Sequence, residues 1–225
     1  MIDFLRNTQV VLLDFDGLLV NTENLHFQAY QKVCANRGFT LDWDFSTFCS
    51  IAHRSSTGLK EKMYHDLPLL YALEPSWEVL YQEKKAEYIK LLQEGAINLM
   101  PGAEQFLAFL KQKNIKRAVV TNSPKEQIDL IKEKIPSLQT IPVWITREDY
   151  KHPKPAPDGY LYALAQIVEP GDKVLGFEDT LRGYLALEAA GVEGIVVSDV
   201  LSEEFERELI ARGAKIIPSF EALVF

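Results

Sequence analysis

The sequence predicts an α/β fold in which a parallel sheet core is interrupted by an inserted helical domain. Three observations lead to this prediction. Short runs of β-prone apolar residues recur along the 225-residue chain, amphipathic helical patterns separate the later runs, and the stretch after the first run shows helical periodicity alone. Because the predicted strands are almost continuously apolar, we expect helices to cover both faces of the sheet.

The elements of the core follow from these patterns in chain order. We expect strands at Val10–Phe15, Arg117–Thr121, Pro142–Thr146, Lys173–Phe177 and Gly194–Ser198. Each of the helices between the later strands places its apolar residues on one face, and we expect them at Ala103–Lys113, Lys125–Ile135, Asp158–Val168 and Leu181–Ala190. Strands that alternate with helices in this way are typical of a parallel sheet with crossover connections.

The inserted domain occupies the chain between the first strand and the rest of the core. Residues 20–93 show helical patterns, for example at Leu25–Asn36 and Trp77–Gln93, and no strand pattern. The stretch LMPGAE at 99–104 contains a Pro-Gly turn that marks the return to the core. We therefore predict a core domain of residues 1–19 and 94–225 and an inserted helical domain of residues 20–93.

Composition limits the classes of partner and compartment. A formal net charge of -8 disfavours binding to nucleic acid or to an anionic membrane surface. The first apolar run stops at Asp14, which is too short for a signal sequence, and no apolar stretch reaches transmembrane length. Cys34 and Cys49 lack the spacing of a disulfide framework or a CxxC motif, as expected in a reducing compartment. We expect a cytoplasmic protein, and a monomer.

Two carboxylates follow the first predicted strand in VVLLDFDGLLVNTE, residues 10–23. Because side chains alternate along a strand, Asp14 and Asp16 share one side, and unpaired carboxylates inside a sheet would cost several kcal/mol. We therefore place them at the carboxyl end of the strand, where they need a cation or a shared proton. Mg²⁺ fits, since it binds carboxylates together with phosphate oxygens. An acidic helix cap is the alternative, although Asn21 or Thr22 would cap better.

Later stretches direct further polar groups to the same edge of the sheet. In AVVTNS, Thr121 and Asn122 end a strand and could contact a phosphoryl oxygen, although Thr121 or Ser123 could equally well be a helix cap. In KHPKPAPD, prolines flank Lys154 and favour an extended backbone there, and on this stretch alone an exposed loop lysine is the favoured interpretation. In VLGFEDT, a strand ends in Glu178 and Asp179.

These stretches, DFDGLLVNTE, VVTNS, KPAPD and GFEDT, resemble in order the four motifs of the haloacid dehalogenase (HAD) superfamily. The resemblance covers essentially the whole chain. It is strongest to the helical-cap branch that contains β-phosphoglucomutase and small-metabolite phosphatases, such as phosphoglycolate and pseudouridine-5'-phosphate phosphatases. It implies a Rossmann-like core and identifies the inserted helices as a cap domain.

The resemblance also implies roles for individual residues. Asp14 would be the nucleophile that forms an aspartyl-phosphate, and Asp16 the general acid and base. Thr121 would hydrogen-bond the transferring group, and Lys154 would bind a phosphoryl oxygen. The implied ligands of Mg²⁺ are Asp14, the backbone carbonyl of Asp16, Glu178 and Asp179.

Residues that read the rest of the substrate are expected mainly in the cap. His26 and Lys84 match cap positions of the mutase, and Arg54 lies in the predicted specificity loop; Asn122 in the core is a further substrate-binding candidate. The alternative interpretation is a surface histidine with a solvated arginine and lysine. Ala52 stands where the mutase has a glycine, a departure that weighs against mutase activity.

Together these observations predict a Mg²⁺-dependent phosphatase that acts on small phosphorylated metabolites, namely sugar or nucleoside monophosphates. The alternative is a phosphosugar mutase of the β-phosphoglucomutase type, which would share every core residue. A catalytically idle HAD domain that serves as a binding module ranks below both, because all of the motif acids are present.

Overall fold

The structure is a computed structural model that describes residues 5–53, 57–95 and 97–223. The chain divides into two compact units, Met1–Asn21 with Ile97–Phe225, here the core unit, and Thr22–Ala96, here the helical unit. The predicted insert, residues 20–93, spans nearly the same range as the helical unit. No helix in the described ranges has both the length and the apolar composition to cross a membrane.

The described part of the core unit contains a parallel sheet of six strands in the order β3-β2-β1-β4-β5-β6. The strands are β1 (Val10–Leu13), β2 (Lys116–Val120), β3 (Val143–Ile145), β4 (Val174–Glu178), β5 (Glu193–Val197) and β6 (Lys215–Ile217). The predicted α/β fold class is confirmed. The short edge strand β6 was not predicted, because its three residues are too few for a pattern and none is fully buried.

Helices pack against the strands of the core unit and cover its sheet. They are α6 (Ala103–Gln112), α7 (Lys125–Lys134), α8 (Asp158–Ile167), α9 (Leu181–Ala189) and α10 (Glu203–Ala211). All four residues of β1 are fully buried, as expected for a strand with helices on both faces of its sheet. Burial of such a strand stabilises the fold at about 25 cal/mol per Å² of apolar surface.

The helical unit is built from helices around an apolar core of its own. Its helices are α1 (Glu23–Asn36), α2 (Phe45–Ala52), α3 (Gly58–Asp66), α4 (Pro68–Leu73) and α5 (Trp77–Glu94). Aromatic stacking contributes to this core, since the rings of Phe27 and Phe48 lie 5.1 Å apart and those of Tyr30 and Trp77 lie 6.0 Å apart.

Candidate active site

The candidate site lies at the carboxyl ends of β1 and β4, the two central strands of the sheet. In the sheet, β2 lies on one side of β1 and β4 lies on the other. The strand order reverses direction between β1 and β4, so a crevice is expected at the carboxyl ends of these two strands. The parallel register places Leu13 opposite Phe177, and the N–H of Asp14 donates to the carbonyl of Phe177 at 3.0 Å. The next residues along, Asp14 and Glu178, therefore lie side by side.

Lys154 lies between these two carboxylates. Its ammonium group donates to the Asp14 carboxylate, to Oε1 of Glu178 at 2.6 Å and to the carbonyl of Val120 at 2.7 Å. The backbone N–H of Lys154 donates to Oδ1 of Asn122 at 3.1 Å, which fixes the loop beneath the ammonium group. Lys154 is buried, so its interpretation as an exposed loop residue is wrong.

Burial and charge together set the protonation of this site. Burial raises the pKa of Asp14 to about 8; Glu178 and Asp16 add to the rise, whereas the Lys154 ammonium opposes it. Burial lowers the pKa of Lys154, but the carboxylates of Asp14 and Glu178 outweigh it and raise that pKa above its ordinary value. The carboxylates therefore outnumber the available positive charge, and a further cation would favour the ionised form of Asp14.

The acidic side chains offer a place for that cation. Asp14, Glu178 and Asp179 are all buried, and each offers an oxygen within 4.8 Å of those of the other two. Hard divalent cations such as Mg²⁺ take oxygen ligands of this kind. The donor set therefore fits the predicted metal, and the contribution of the Asp16 backbone carbonyl stays a prediction.

Two hydroxyl groups donate hydrogen bonds to Asp16. Ser123 Oγ donates to Asp16 Oδ2 at 2.6 Å and Thr121 Oγ1 donates to the same oxygen at 3.1 Å. The N–H of Ser123 in turn donates to Thr121 Oγ1 at 2.9 Å. Neither Thr121 nor Ser123 caps α7, whose N-terminal flank is Pro124 without a side-chain bond, so the capping alternative is wrong. Asp16 is only half-buried, as a group that exchanges protons with ligands requires.

A comparison with known proteins identifies the family. The model of the haloacid dehalogenase-like hydrolases matches residues 8–191. The chain belongs to this family. It is 30% identical over 194 residues to a phosphorylated carbohydrates phosphatase of Thermotoga maritima, covering 83% of each chain.

Two solved structures show the same architecture as this hydrolase. One is a putative β-phosphoglucomutase from Thermotoga maritima, with a TM-score of 0.74, 28% identity and 95% of both chains covered. The other is CbbY from Rhodobacter sphaeroides in complex with phosphate, with a TM-score of 0.73, 25% identity and 96% of both chains covered. The predicted superfamily is confirmed, and so is the prediction of an enzyme of the phosphomonoester hydrolase type.

The substrate-binding candidates of the helical unit form a pair. Lys84 Nζ lies 2.7 Å from Nδ1 of His26, whose ring stacks on Tyr88 with centroids 4.0 Å apart. Lys84 is buried and also lies 5.2 Å from the ring centroid of Tyr30, so its interpretation as a solvated lysine is wrong. Burial and the Lys84 cation hold the pKa of His26 well below its usual range. The third candidate, Arg54, lies outside the described residues.

Sequence reasoning missed two residues that fix Glu178. The Tyr160 hydroxyl donates to the Glu178 carboxylate, and Tyr160 is fully buried in α8. A Cβ atom on Gly183 would lie 1.8 Å from Oε2 of Glu178, so any larger residue there would displace the carboxylate. A glycine in the first turn of a helix was a usable signal, because such glycines commonly permit a close approach. Tyr160 carried no signal, since its apolar ring fits the core-facing side of α8.

Proposed function

We propose that this hydrolase is a Mg²⁺-dependent phosphatase of sugar or nucleoside monophosphates that acts through an aspartyl-phosphate on Asp14. One observation carries the proposal: Asp14 follows the central strand β1, contacts the Lys154 ammonium that also contacts Glu178, and lies beside the acidic pair Glu178 and Asp179. A carboxylate in this setting can approach a phosphate dianion only if neighbouring cations offset the repulsion. Lys154 supplies one such charge, and the three acidic residues can hold the other.

The chain's own residues account for both chemical steps. In the first, an Asp14 oxygen bonds to phosphorus while the bond from phosphorus to the leaving oxygen breaks, and Asp16 gives its proton to that oxygen. In the second, water attacks phosphorus and passes a proton to Asp16, while the bond between phosphorus and the Asp14 oxygen breaks. This step restores the Asp14 carboxylate and releases phosphate. Thr121 and Ser123 hold Asp16 in place through the hydrogen bonds to its Oδ2.

Mg²⁺ would be held by Asp14, Glu178 and Asp179, and when bound it supplies positive charge that stabilises the developing phosphoryl charge. The Tyr160 hydroxyl and the Lys154 ammonium hold the carboxylate of Glu178, and Gly183 leaves room for it. This preorganisation means that little reorganisation of the carboxylate is needed at the moment of reaction.

The substrate class is inferred from the helical unit and from the relatives. His26, Arg54 and Lys84 are the proposed contacts to the part of the substrate beyond the phosphate. The Thermotoga maritima relative, named a phosphatase of phosphorylated carbohydrates, supports a sugar phosphate. A small phosphorylated metabolite also agrees with the net charge of -8, which disfavours a polyanionic substrate.

A phosphosugar mutase is the second candidate, because one structural neighbour is named a putative β-phosphoglucomutase. The two functions differ only in the acceptor of the phosphoryl group, which is water in a phosphatase and a second sugar hydroxyl in a mutase. The site as described serves either acceptor. A requirement for a sugar bisphosphate as primer distinguishes them.

The test is phosphate release from a panel of sugar, nucleoside and glycolate phosphates, with Mg²⁺ and with a chelator. We expect chelator-sensitive release by the wild type and by the surface control Asp42→Asn, and a loss of about 10⁴-fold or more in Asp14→Asn. Release that survives in the chelator or in Asp14→Asn would contradict the proposal. No release from the panel, with glucose-1-phosphate isomerised only after priming with a bisphosphate, would establish the mutase.

A further inference from the structure

Three side chains of metal-binding type converge within the helical unit. Glu23 lies in the first turn of α1, Cys49 lies in α2, and His53 is the residue that follows α2. Each offers one ligand atom, and these atoms lie within 4.8 Å of one another. The cluster shares no residue with the acidic site of the core unit, and the proposed phosphatase chemistry makes no use of it.

The local fold explains why Cys49 and His53 face the same way. They are four residues apart, and the N–H of His53 donates to the carbonyl of Cys49 at 2.9 Å, so helical geometry extends to His53. Residues at this spacing project from one face of a helix. Glu23 comes from 26 and 30 residues earlier in the chain and reaches them because α1 packs against α2.

The side chains of the cluster contact one another directly. One oxygen of Glu23 contacts His53 Nε2, and the other accepts a hydrogen bond from Cys49 Sγ at 3.7 Å. Oxygen and sulfur ligands of a tetrahedral zinc ion lie about 3.5 Å apart, given bond lengths of about 2.0 and 2.3 Å. Cys49 is fully buried and His53 is 4% exposed, so an ion here would be largely shielded from water.

The simplest alternative is an ion pair between Glu23 and His53 beside a packed thiol. In that alternative the Cys49 thiol donates its hydrogen bond to the second carboxylate oxygen, whereas bound Zn²⁺ would replace this hydrogen bond and the Glu23–His53 contact with metal bonds. We propose that Glu23, Cys49 and His53 form a binding site for Zn²⁺ within the helical unit. A thiolate and a carboxylate neutralise the ion, and sulfur with imidazole selects zinc over magnesium, which prefers oxygen ligands.

Cobalt provides the direct test, because Co²⁺ replaces Zn²⁺ and a thiolate ligand gives a charge-transfer band in the near ultraviolet. The full chain is titrated with Co²⁺ in excess Mg²⁺, which occupies oxygen-only sites. Only two cysteines exist, so the band reports Cys34 or Cys49 alone. We expect one Co²⁺ per chain, a band that is present in wild type and Cys34→Ser and absent in Cys49→Ser, and displacement by Zn²⁺.

Cys34 is a matched control, since it is also buried in the helical unit and burial raises the pKa of its thiol to about 11. His53→Gln and Glu23→Gln should weaken Zn²⁺ binding about 100-fold or more, whereas His65→Gln, on the exposed surface, should not weaken it. If Cys49→Ser fails to fold by circular dichroism, His53→Gln decides in its place. A wild type without the band, or a band that survives in folded Cys49→Ser, would overturn the proposal.

Discussion

The core unit and the helical unit each bury a lysine, but they surround it differently. In the core unit, Lys154 lies between two carboxylates at the ends of neighbouring strands. In the helical unit, Lys84 contacts a histidine nitrogen and lies near tyrosine rings. Lys154 therefore contacts acidic side chains, whereas Lys84 contacts an imidazole nitrogen and lies near aromatic rings.

This difference follows from the chemistry that we propose for each unit. A site that transfers a phosphoryl group must place fixed charges close to the reacting atoms. In the core unit, the hydrogen-bonded register of β1 and β4 fixes the positions of these charged side chains. A site that recognises sugar or nucleoside hydroxyls needs hydrogen-bond donors and acceptors, and burying such neutral groups costs less free energy than burying charges. Removing one member should therefore cost far more in the core site than in the helical unit.

The largest effect is expected for Lys154→Met. Removal of the ammonium leaves Asp14 and Glu178 as buried carboxylates without their cation. We expect the free energy of unfolding to fall by about 3 to 5 kcal/mol and kcat to fall by about 10³-fold. Urea denaturation and phosphate release measure the two effects.

Lys151→Met is the matched control for this prediction, because Lys151 lies three residues earlier in the same loop and is exposed. Its stability and activity should stay within error of wild type. A Lys154→Met protein as stable as the control would show that the acidic cluster carries less charge than we propose.

The second effect concerns Asp16→Asn. The amide can still accept the hydroxyls of Ser123 and Thr121, so the geometry is kept while the transferable proton is lost. We expect the single-turnover rate of leaving-group release to fall about 10²-fold for a sugar phosphate and much less for p-nitrophenyl phosphate, whose leaving oxygen needs no proton. Steady-state kcat should fall for both substrates, because Asp16 also takes the proton of water in the second step. Ser123→Ala, which keeps the carboxyl group, should show a smaller loss. Equal losses of the single-turnover rate on both substrates would argue against a general acid.

The acidic part of the core site could be anticipated because Asp14 and Glu178 lie at or just after the ends of strands, and parallel strands end at one edge of a sheet. Lys154 lies in a loop well after β3, and it was assigned to the site through the resemblance to the family. The predicted first strand, Val10–Phe15, was too long, since β1 ends at Leu13. The error arose because Phe15 is buried and apolar although it lies beyond the strand.

The polar pairs of the helical unit could not be derived from spacing. His26 and Lys84 are 58 residues apart and meet only because α1 packs along α5. The resemblance to the mutase named both residues, but it did not predict that they contact each other. Helix packing depends on many small contacts, so such a pair has no local signature in the sequence.

A third effect is expected for Gly183→Ala, which tests how tightly Glu178 is held. The added Cβ must displace a buried carboxylate, so we expect a loss of about 2 kcal/mol in stability and a higher Mg²⁺ concentration at half-maximal activity. Gly194→Ala is the control, because its Cβ would lie 2.9 Å from the Tyr184 ring instead. It should lose comparable stability without a change in Mg²⁺ dependence. If the Mg²⁺ concentration at half-maximal activity rises in both variants, the cause is a general loss of packing and not the displacement of Glu178.

The smallest effect is the pH dependence of stability that His26 contributes. The folded protein holds His26 neutral, whereas the unfolded chain binds a proton with a pKa near 6.5, so the contribution is present above that pKa and is lost as the pH falls below it. Between about pH 7.5 and about pH 5.5, wild type should lose about 1 kcal/mol more than His26→Asn.

Urea denaturation at both pH values measures this difference, and His65→Asn, an exposed substitution in the same unit, should behave as wild type. Asn is chosen because its amide oxygen can still accept a hydrogen bond from Lys84. Equal losses in wild type and His26→Asn would mean that His26 binds a proton without unfolding. The helical unit would then tolerate two adjacent positive charges, and its contrast with the charged core site would no longer hold.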